Sequence, residues 1–109
     1  MIVYEVTAEA ESSLAPNFER YMVEKHIPEV LATGKFESMT FAGRDSKYRI
    51  TYLLKDTSML DRYIAEDADI LREDLKQHFP SGITLTREVF EVITTHNQVN
   101  SKAIGERIF

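Results

Sequence analysis

The sequence predicts an α+β fold of the ferredoxin-like type, with one antiparallel sheet and two helices on a single face. Residues 2–8, 35–43, 47–55 and 83–94 alternate in hydrophobicity in the manner of β-strands. Two intervening segments repeat apolar residues at helical spacing, so the element order is β-α-β-β-α-β. The length of 109 residues is that of one domain.

The first helix follows the first strand, residues 2–8. It carries Phe18 and His26 on one apolar face at helical spacing. Pro28 has no backbone N–H to donate within a helix. We therefore expect a kink or a break there, followed by a short second turn that ends at Gly34.

A hairpin and a second helix come next. The strands 35–43 and 47–55 are joined by a short polar turn, which predicts antiparallel pairing. Ser58, with Asp61 three residues later, resembles a capping box that opens the helix. Pro80 stops it. The apolar stripe of this helix consists of Leu60, Tyr63, Ile64, Ala68, Leu71, Leu75 and Phe79.

The last strand, residues 83–94, completes a sheet whose two faces differ. The face assigned to the helices carries Ile2, Tyr4, Val6, Tyr48, Ile50, Tyr52 and Leu54. The opposite face is predicted to carry Val3, Glu5, Thr7, Arg49, Thr51, Leu53, Arg87, Val89 and Glu91. Because this second face mixes apolar residues with charges of both signs, it suits a sheet-to-sheet homodimer. A solvated sheet face is the alternative.

The composition of the chain limits the kinds of molecule to which we expect it to bind. The chain has 18 acidic and 13 basic side chains and a net charge of −5, which argues against a nucleic-acid partner. It has no cysteine and only four isolated glycines, so disulfides and glycine-rich phosphate loops are excluded. No stretch approaches the ~20 apolar residues of a membrane span, and no signal peptide opens the chain. We expect a cytoplasmic protein that uses no membrane and no cofactor.

The chain divides into a ferredoxin-like domain, residues 1–95, and a polar C-terminal tail, residues 96–109. The tail becomes apolar only at Ile104, Ile108 and Phe109. A frayed terminus is one interpretation. Docking of these three side chains on a partner subunit is the other.

His26 is the best candidate for a catalytic or binding group. It continues the apolar stripe of the first helix and precedes the expected break at Pro28. A general base or ligand-binding group in a cleft is one interpretation, and a core histidine bonded to its own helix end is the other. His78 lies in the last turn of the second helix, where a cation complements the helix dipole. The position of His96, in or near the tail, indicates no function for this residue.

Tyr4 and Tyr52 are the other candidate ligand-binding residues. They lie on adjacent strands and, by alternation, on one face, from which they reach His26 and line a small aromatic pocket. Tyrosines in such places are also common as core residues with one satisfied hydroxyl. A base-stacking role is rejected, because the third strand lacks the glycine and spaced aromatics of RNA-recognition domains.

No metal site is predicted. Glu24, His26 and Glu29 are close in sequence, but Pro28 breaks the helical geometry that would align them. The second helix carries an acidic run interspersed with basic residues, which indicates a solvated helix face. The acidic residues are Glu66, Asp67, Asp69, Glu73 and Asp74, and the basic ones are Arg62, Arg72 and Lys76.

Two strings identify a resemblance over residues 1–93. The opening M-I-V-Y-E-V-T and the segment H-I-P-E-V-L-A-T-G-K-F of residues 26–36 resemble a small bacterial family known only as a domain of unknown function. The resemblance implies a dimeric α+β barrel, in which two ferredoxin-like sheets pack face to face. It implies no activity. The wider superfamily includes cofactor-free monooxygenases, lactone isomerases, haem enzymes and ligand-binding modules.

Two functions follow as hypotheses. The first is a homodimeric protein without its own catalysis that binds a small molecule or partner in the cleft between helices and sheet. The second is a cofactor-independent enzyme of the monooxygenase or isomerase type, in which His26 is the base and Tyr4 and Tyr52 position the substrate. An open pocket that reaches the His26 ring favours the enzyme.

Overall fold

The computed structural model describes residues 1–98 and has the predicted order of strands and helices. The strands are β1 (Ile2–Ala10), β2 (Ser38–Arg44), β3 (Lys47–Leu54) and β4 (Ile83–Glu91). The helices are α1 (Ala15–Tyr21), α2 (Ile27–Ala32), α3 (Thr57–Glu66) and α4 (Ala68–His78), and a π-helical segment, Met22–His26, joins α1 to α2. The ferredoxin-like fold is confirmed.

The sheet has the order β2-β3-β1-β4, and every neighbouring pair is antiparallel. The central strand β1 alternates between buried and half-buried residues, as its sequence predicts. Tyr4 pairs with Tyr52 on one side and with Val89 on the other. The face predicted for the helices on β1 and β3 is buried as expected.

Phe18 of α1 is the centre of the aromatic part of the core. Its side chain is 0% exposed. The ring packs against Tyr48 at a centroid distance of 5.2 Å, against Phe79 at 5.7 Å and against Phe41 at 6.4 Å. The first helix is thereby fixed to the sheet and to the end of α4.

The first helix differs from its prediction at Pro28. The chain stays helical from Ala15 to Ala32, without a break at the proline. The irregularity lies one turn earlier, where the Ile27 N–H donates to the carbonyl of Met22 in the five-residue spacing of a π-helix. Pro28 then falls in the first turn of α2, where a missing N–H is tolerated. Gly34 follows that helix with a φ of 75°, as expected for its end.

The cap of the second helix is also corrected. Asp56 caps α3, because its carboxylate accepts a hydrogen bond from the Met59 N–H at 3.0 Å. Ser58 is not the cap but donates its hydroxyl proton to the same carboxylate at 2.6 Å. A carboxylate at this position also interacts favourably with the positive end of the helix dipole.

The predicted single helix is two helices that meet at Asp67. Lys35, which is buried after α2, forms ion pairs with Asp67 and, at 2.7 Å, with Glu66. These contacts hold the turn between α3 and α4 and raise the pKa of the Lys35 ammonium. Ile64 of α3, predicted on the apolar stripe, is exposed.

The predicted composition of the open sheet face is wrong for β4. The pairing of Val6 with Arg87, and of Tyr4 with Val89, puts Arg87, Val89 and Glu91 on the helix-facing side. The open face of β4 instead carries Glu88 and Phe90. Residues on both faces of β4 are exposed in the second half of this edge strand. The alternation of apolar and polar residues in its sequence therefore does not show how β4 is aligned with β1.

Residues 92–98 contain no helix or strand. The Val92 N–H donates to the Met1 carbonyl at 2.9 Å, so the chain leaves the sheet beside its own N-terminus. Ile104, Ile108 and Phe109 lie outside the described residues, and the division into a domain and a tail stays a prediction. Within residues 1–98, none of the helices has the length and apolarity to cross a membrane.

Candidate functional site

Tyr4 and Tyr52 lie side by side on the sheet, as predicted. Their rings stack at a centroid distance of 5.8 Å and an interplanar angle of 25°. Both side chains are buried. Strand alternation and the direct pairing of the two residues place them together, so this part of the site follows from the sequence pattern.

His26 is buried opposite these tyrosines, at the end of the π-helical segment. Its side chain is 8% exposed, and its Nδ1 has no hydrogen-bond partner among residues 1–98. Burial lowers the pKa of the imidazole, although the carboxylates of Glu29 and Asp74 act in the opposite direction. The ring is therefore neutral near pH 7. The alternative prediction was a ring hydrogen-bonded to the carbonyls at the end of its own helix. Within residues 1–98, Nδ1 makes no such hydrogen bond.

A small cleft of about 40 Å³ joins the histidine to the tyrosines. A buried water needs about 10–15 Å³, so this volume has room for about three or four water molecules. The cleft is lined by Tyr4, Val6, Phe18, Met22, His26, Ile50, Tyr52, Tyr63, Arg72, Leu75, Leu85 and Arg87. All three predicted site residues thus face one cavity.

The phenols of Tyr52 and Tyr63 are neutral at physiological pH. Burial raises the pKa of Tyr63 to about 12 and raises the pKa of Tyr52 as well. The Arg72 guanidinium donates from Nη2 to the Tyr4 hydroxyl oxygen at 3.1 Å. Tyr52 and Tyr63 thus keep their hydroxyl protons as hydrogen-bond donors, and Arg72 and Arg87 bring positive charge to the cleft.

Arg72 and Arg87 are the polar residues that the sequence analysis missed. Arg72 was assigned to a solvated helix face, but it follows the buried Ala68 by four residues and precedes Leu75 by three. The helical spacing of Arg72 relative to Ala68 and Leu75 therefore indicates that Arg72 lies on the buried side of the helix. Arg87 was assigned to the open sheet face, and only the pairing of β4 with β1 brings it into the cleft.

A polar network supports the π-helical segment from outside. The Tyr21 hydroxyl donates to Asp74 Oδ2 at 2.6 Å, and Lys25 Nζ donates to the same oxygen at 2.9 Å. The Tyr21 ring also lies 5.8 Å from the His26 ring. Asp74, predicted on a solvated face, is half-buried and ties α4 to the first helix. The hydrogen bond from Tyr21 is the main reason that the pKa of Asp74 is lowered.

His78 packs its ring on Tyr21 at a centroid distance of 4.5 Å. Its Nδ1 lies 2.9 Å from the backbone carbonyl of Asp74, so it belongs to the end of α4, as predicted. His96 Nε2 lies 3.0 Å from the Thr94 hydroxyl and is remote in sequence from the cleft. Across residues 1–98, no three His, Asp or Glu side chains are grouped so as to hold a metal ion.

The fold is a ferredoxin-like α+β fold, similar to that of solved proteins described as antibiotic biosynthesis monooxygenases. A Deinococcus radiodurans protein assigned to those monooxygenases is similar at a TM-score of 0.67 and 14% identity, covering 92% of this chain and 100% of the other. SnoaB, a cofactor-independent oxygenase from Streptomyces nogalater, is similar at a TM-score of 0.69 and 14% identity, covering 89% and 98%. An ethyl tert-butyl ether D (EthD) family protein from Bacillus halodurans reaches 0.65 and 14%, covering 85% and 100%.

The chain belongs to the family described as Domain of unknown function (DUF4286), which matches residues 1–93. The resemblance inferred from the two sequence strings is thereby confirmed. No curated protein matches the chain. At 14% identity, the structural similarities establish the fold and leave the activity open.

Proposed function

We propose that this protein binds a small organic molecule in the cleft formed by Tyr4, His26 and Tyr52. The observation that carries the proposal is the buried Nδ1 of His26, which has no hydrogen-bond partner within residues 1–98 and belongs to a residue lining a cavity. A buried polar atom without a partner costs about 1–3 kcal/mol. A ligand that supplies the missing hydrogen bond recovers this free energy.

The ligand must fit into a cleft that is small in this structure. A cavity of about 40 Å³ is smaller than any drug-sized molecule, so side chains at its edge have to move. The exposed Arg87 lies at that edge, and a long arginine side chain changes rotamer readily. Phe18 and Ile50, at the buried end, are fixed by the core. Entry is therefore expected from the side of β4.

Replacement of His26 tests the binding site. A fragment that perturbs the His26 ring signals in NMR spectra of the wild-type protein is expected to bind the His26→Ala variant at least tenfold more weakly, since one hydrogen bond to a buried group is lost. Titrations followed by heteronuclear NMR measure the affinity. His78→Ala, which removes an exposed histidine of α4, serves as the matched control. Equal affinity in wild type and His26→Ala, with fold retained, contradicts the proposed site.

A second candidate is a cofactor-independent enzyme with His26 as general base. Its support is the neutral imidazole beside two phenols, together with the fold shared with an oxygenase described as cofactor-independent. His26 would take a proton from an enolisable or phenolic substrate, which Tyr4 and Tyr52 position. In an isomerisation the proton returns at another carbon. In an oxygenation of a CH2 group, the substrate carbanion reduces dioxygen and binds it as a hydroperoxide, which then loses water to leave a carbonyl group. Oxygen uptake or isomer formation that His26→Ala abolishes, with fold retained, supports this second function over simple binding.

The proposed assembly is a homodimer through the open sheet face. An isologous contact presents the same surface twice, so it must be complementary to itself. The open face carries an apolar row of Val3, Leu53 and Phe90, and an ion pair in which Arg49 Nε donates to Glu5 at 2.8 Å. Charges of both signs on one face allow acids of one copy to meet bases of the other.

The Phe90→Asp substitution is expected to convert the dimer into a monomer. Phe90 is 47% exposed in the single chain, and a carboxylate in the apolar row would be desolvated by the second copy. Sedimentation equilibrium should give twice the 12.6 kDa chain mass for wild type and the chain mass for the variant. Val23→Asp places the same charge on the helix layer and should leave the dimer intact. A wild-type protein that sediments as a monomer at micromolar concentration contradicts the assembly.

A further inference from the structure

We infer that the ligand of the cleft is a small organic acid with a flat apolar body, whose carboxylate is bound by Arg72 and Arg87. The inference rests on the proposed binding function and adds the chemical class of the ligand. It is carried by three features of the cleft: two arginines without acidic partners within residues 1–98, an apolar and aromatic wall, and a buried histidine nitrogen without a hydrogen-bond partner in the same range.

The two arginines are free to bind an anion. Within residues 1–98, neither guanidinium has a carboxylate oxygen within 4.0 Å, whereas Arg49 pairs with Glu5 and Arg62 with Glu66. Arg72 donates one hydrogen bond, to the Tyr4 hydroxyl. A guanidinium has five N–H donors, so most of its donors remain for a ligand. Arginine binds carboxylates with two parallel hydrogen bonds.

The absence of acids from the cleft is notable for this chain. The sequence contains 18 acidic residues and a net charge of −5, yet no Asp or Glu is among the twelve residues that line the cavity. Asp74, which lies on the same helix as Arg72, is engaged by Tyr21 and Lys25 instead. The cleft is thus a locally positive site in an acidic protein. Such a site selects anions.

The wall of the cleft fits a flat apolar body. Tyr4 and Tyr52 are stacked neighbours on the sheet, and Phe36 packs on Tyr52 from the other side at 5.0 Å. Towards the interior, the lining becomes aliphatic and fully buried at Ile50. Towards β4 it ends at the exposed Arg87. The ligand therefore has a charged end near solvent and an apolar part over the sheet.

The inner end of the ligand is expected to carry a hydroxyl or enol group. His26 Nδ1 is buried without a partner among the described residues. A neutral imidazole has one donor nitrogen and one acceptor nitrogen, and the tautomer decides which role Nδ1 takes. A hydroxyl group both donates and accepts, so it satisfies Nδ1 in either tautomer.

The experiment compares acids with their neutral amides of the same shape. Wild-type protein labelled at histidine is titrated with acetate and acetamide, benzoate and benzamide, and 4-hydroxybenzoate and 4-hydroxybenzamide. The His26 ring signals report binding in the cleft. We expect at least one acid to bind at least tenfold more tightly than its amide, with the hydroxylated acid the tightest, and added salt to weaken the acid alone.

Arginine variants assign the anion to its site. Arg72→Gln and Arg87→Gln keep a polar side chain and are each expected to weaken binding of the acid about 10- to 100-fold and to leave the amide unchanged. Arg20→Gln, on the exposed side of α1, removes the same charge outside the cleft and should change neither affinity. Equal loss for acid and amide would indicate a distorted fold and would overturn the assignment to arginine.

The remaining outcomes separate this inference from the proposed function. If amides bind at His26 as tightly as acids, the ligand class is wrong, while binding in the cleft stands. If acids bind but no arginine variant weakens them, the assignment to Arg72 and Arg87 is wrong. If none of the six compounds perturbs the His26 ring, the ligand class is contradicted, and the proposed binding function is decided separately by the fragment titrations of wild type and His26→Ala.

Discussion

The Phe18→Ala substitution is expected to lower the free energy of unfolding by about 3–5 kcal/mol, the range for deleting a buried aromatic ring. Phe18 is completely buried and contacts three other aromatic rings of the core. It also lines the cleft. The substitution therefore enlarges the cavity as well as weakening the attachment of α1 to the sheet. Urea unfolding followed by circular dichroism measures the loss.

A second measurement ties this loss to the cleft. An apolar cavity left by a removed ring binds small apolar compounds, so benzene or indole should restore part of the stability of the Phe18→Ala variant and have a much smaller effect on wild type. Ile70→Ala is the control, since Ile70 of α4 is 75% exposed and its removal should change stability by less than about 0.5 kcal/mol. A Phe18→Ala variant as stable as the Ile70→Ala variant would show that the aromatic core does not hold α1.

The sheet could be predicted where one face of a strand is fully buried. On β1 and β3, buried residues alternate with less buried ones, and this pattern placed Tyr4 beside Tyr52 without any structure. On β4 the pattern fails, because Arg87, Val89 and Glu91 are exposed although they face the helix side. Register on such a strand is set by pairing with β1, which the sequence of β4 alone does not encode.

The candidate site was predicted in part for a similar reason. Helical spacing placed His26 on the buried face, because the chain stays helical through the π-helical segment. The same spacing includes Arg72, but charged residues are rarely buried, and it was assigned to solvent. A charged side chain at a core position is informative for this reason. Here it identifies the anion-binding end of the cleft that the aromatic residues alone do not reveal.

The stability of the protein is expected to fall as the pH drops below 6.5, with His26 as a distinct contributor. Burial lowers the pKa of His26 in the folded state below its usual 6.5, an effect only partly offset by Glu29 and Asp74 and reinforced by Lys25. Between the two pKa values, the unfolded chain binds a proton at this residue that the folded chain does not. Since the unfolded state then holds more protons, the free energy of unfolding rises with pH across this window.

The contribution of His26 is therefore present above pH 6.5 and is lost as the pH falls through the window, at up to about 1.4 kcal/mol per pH unit. Carboxylates titrate in a neighbouring range, so the comparison is made with His26→Phe, which keeps a ring of similar shape and removes the titrating group. Urea unfolding between pH 7.5 and 5 should give a shallower slope for the variant.

An organic acid bound in the cleft that hydrogen-bonds to the neutral ring should shift the loss in wild type to lower pH still, because it stabilises only the folded state with His26 unprotonated. Parallel slopes for wild type and His26→Phe would mean that His26 has the same pKa in the folded protein as in the unfolded chain. That result would contradict a buried imidazole that stays neutral, on which both candidate functions depend.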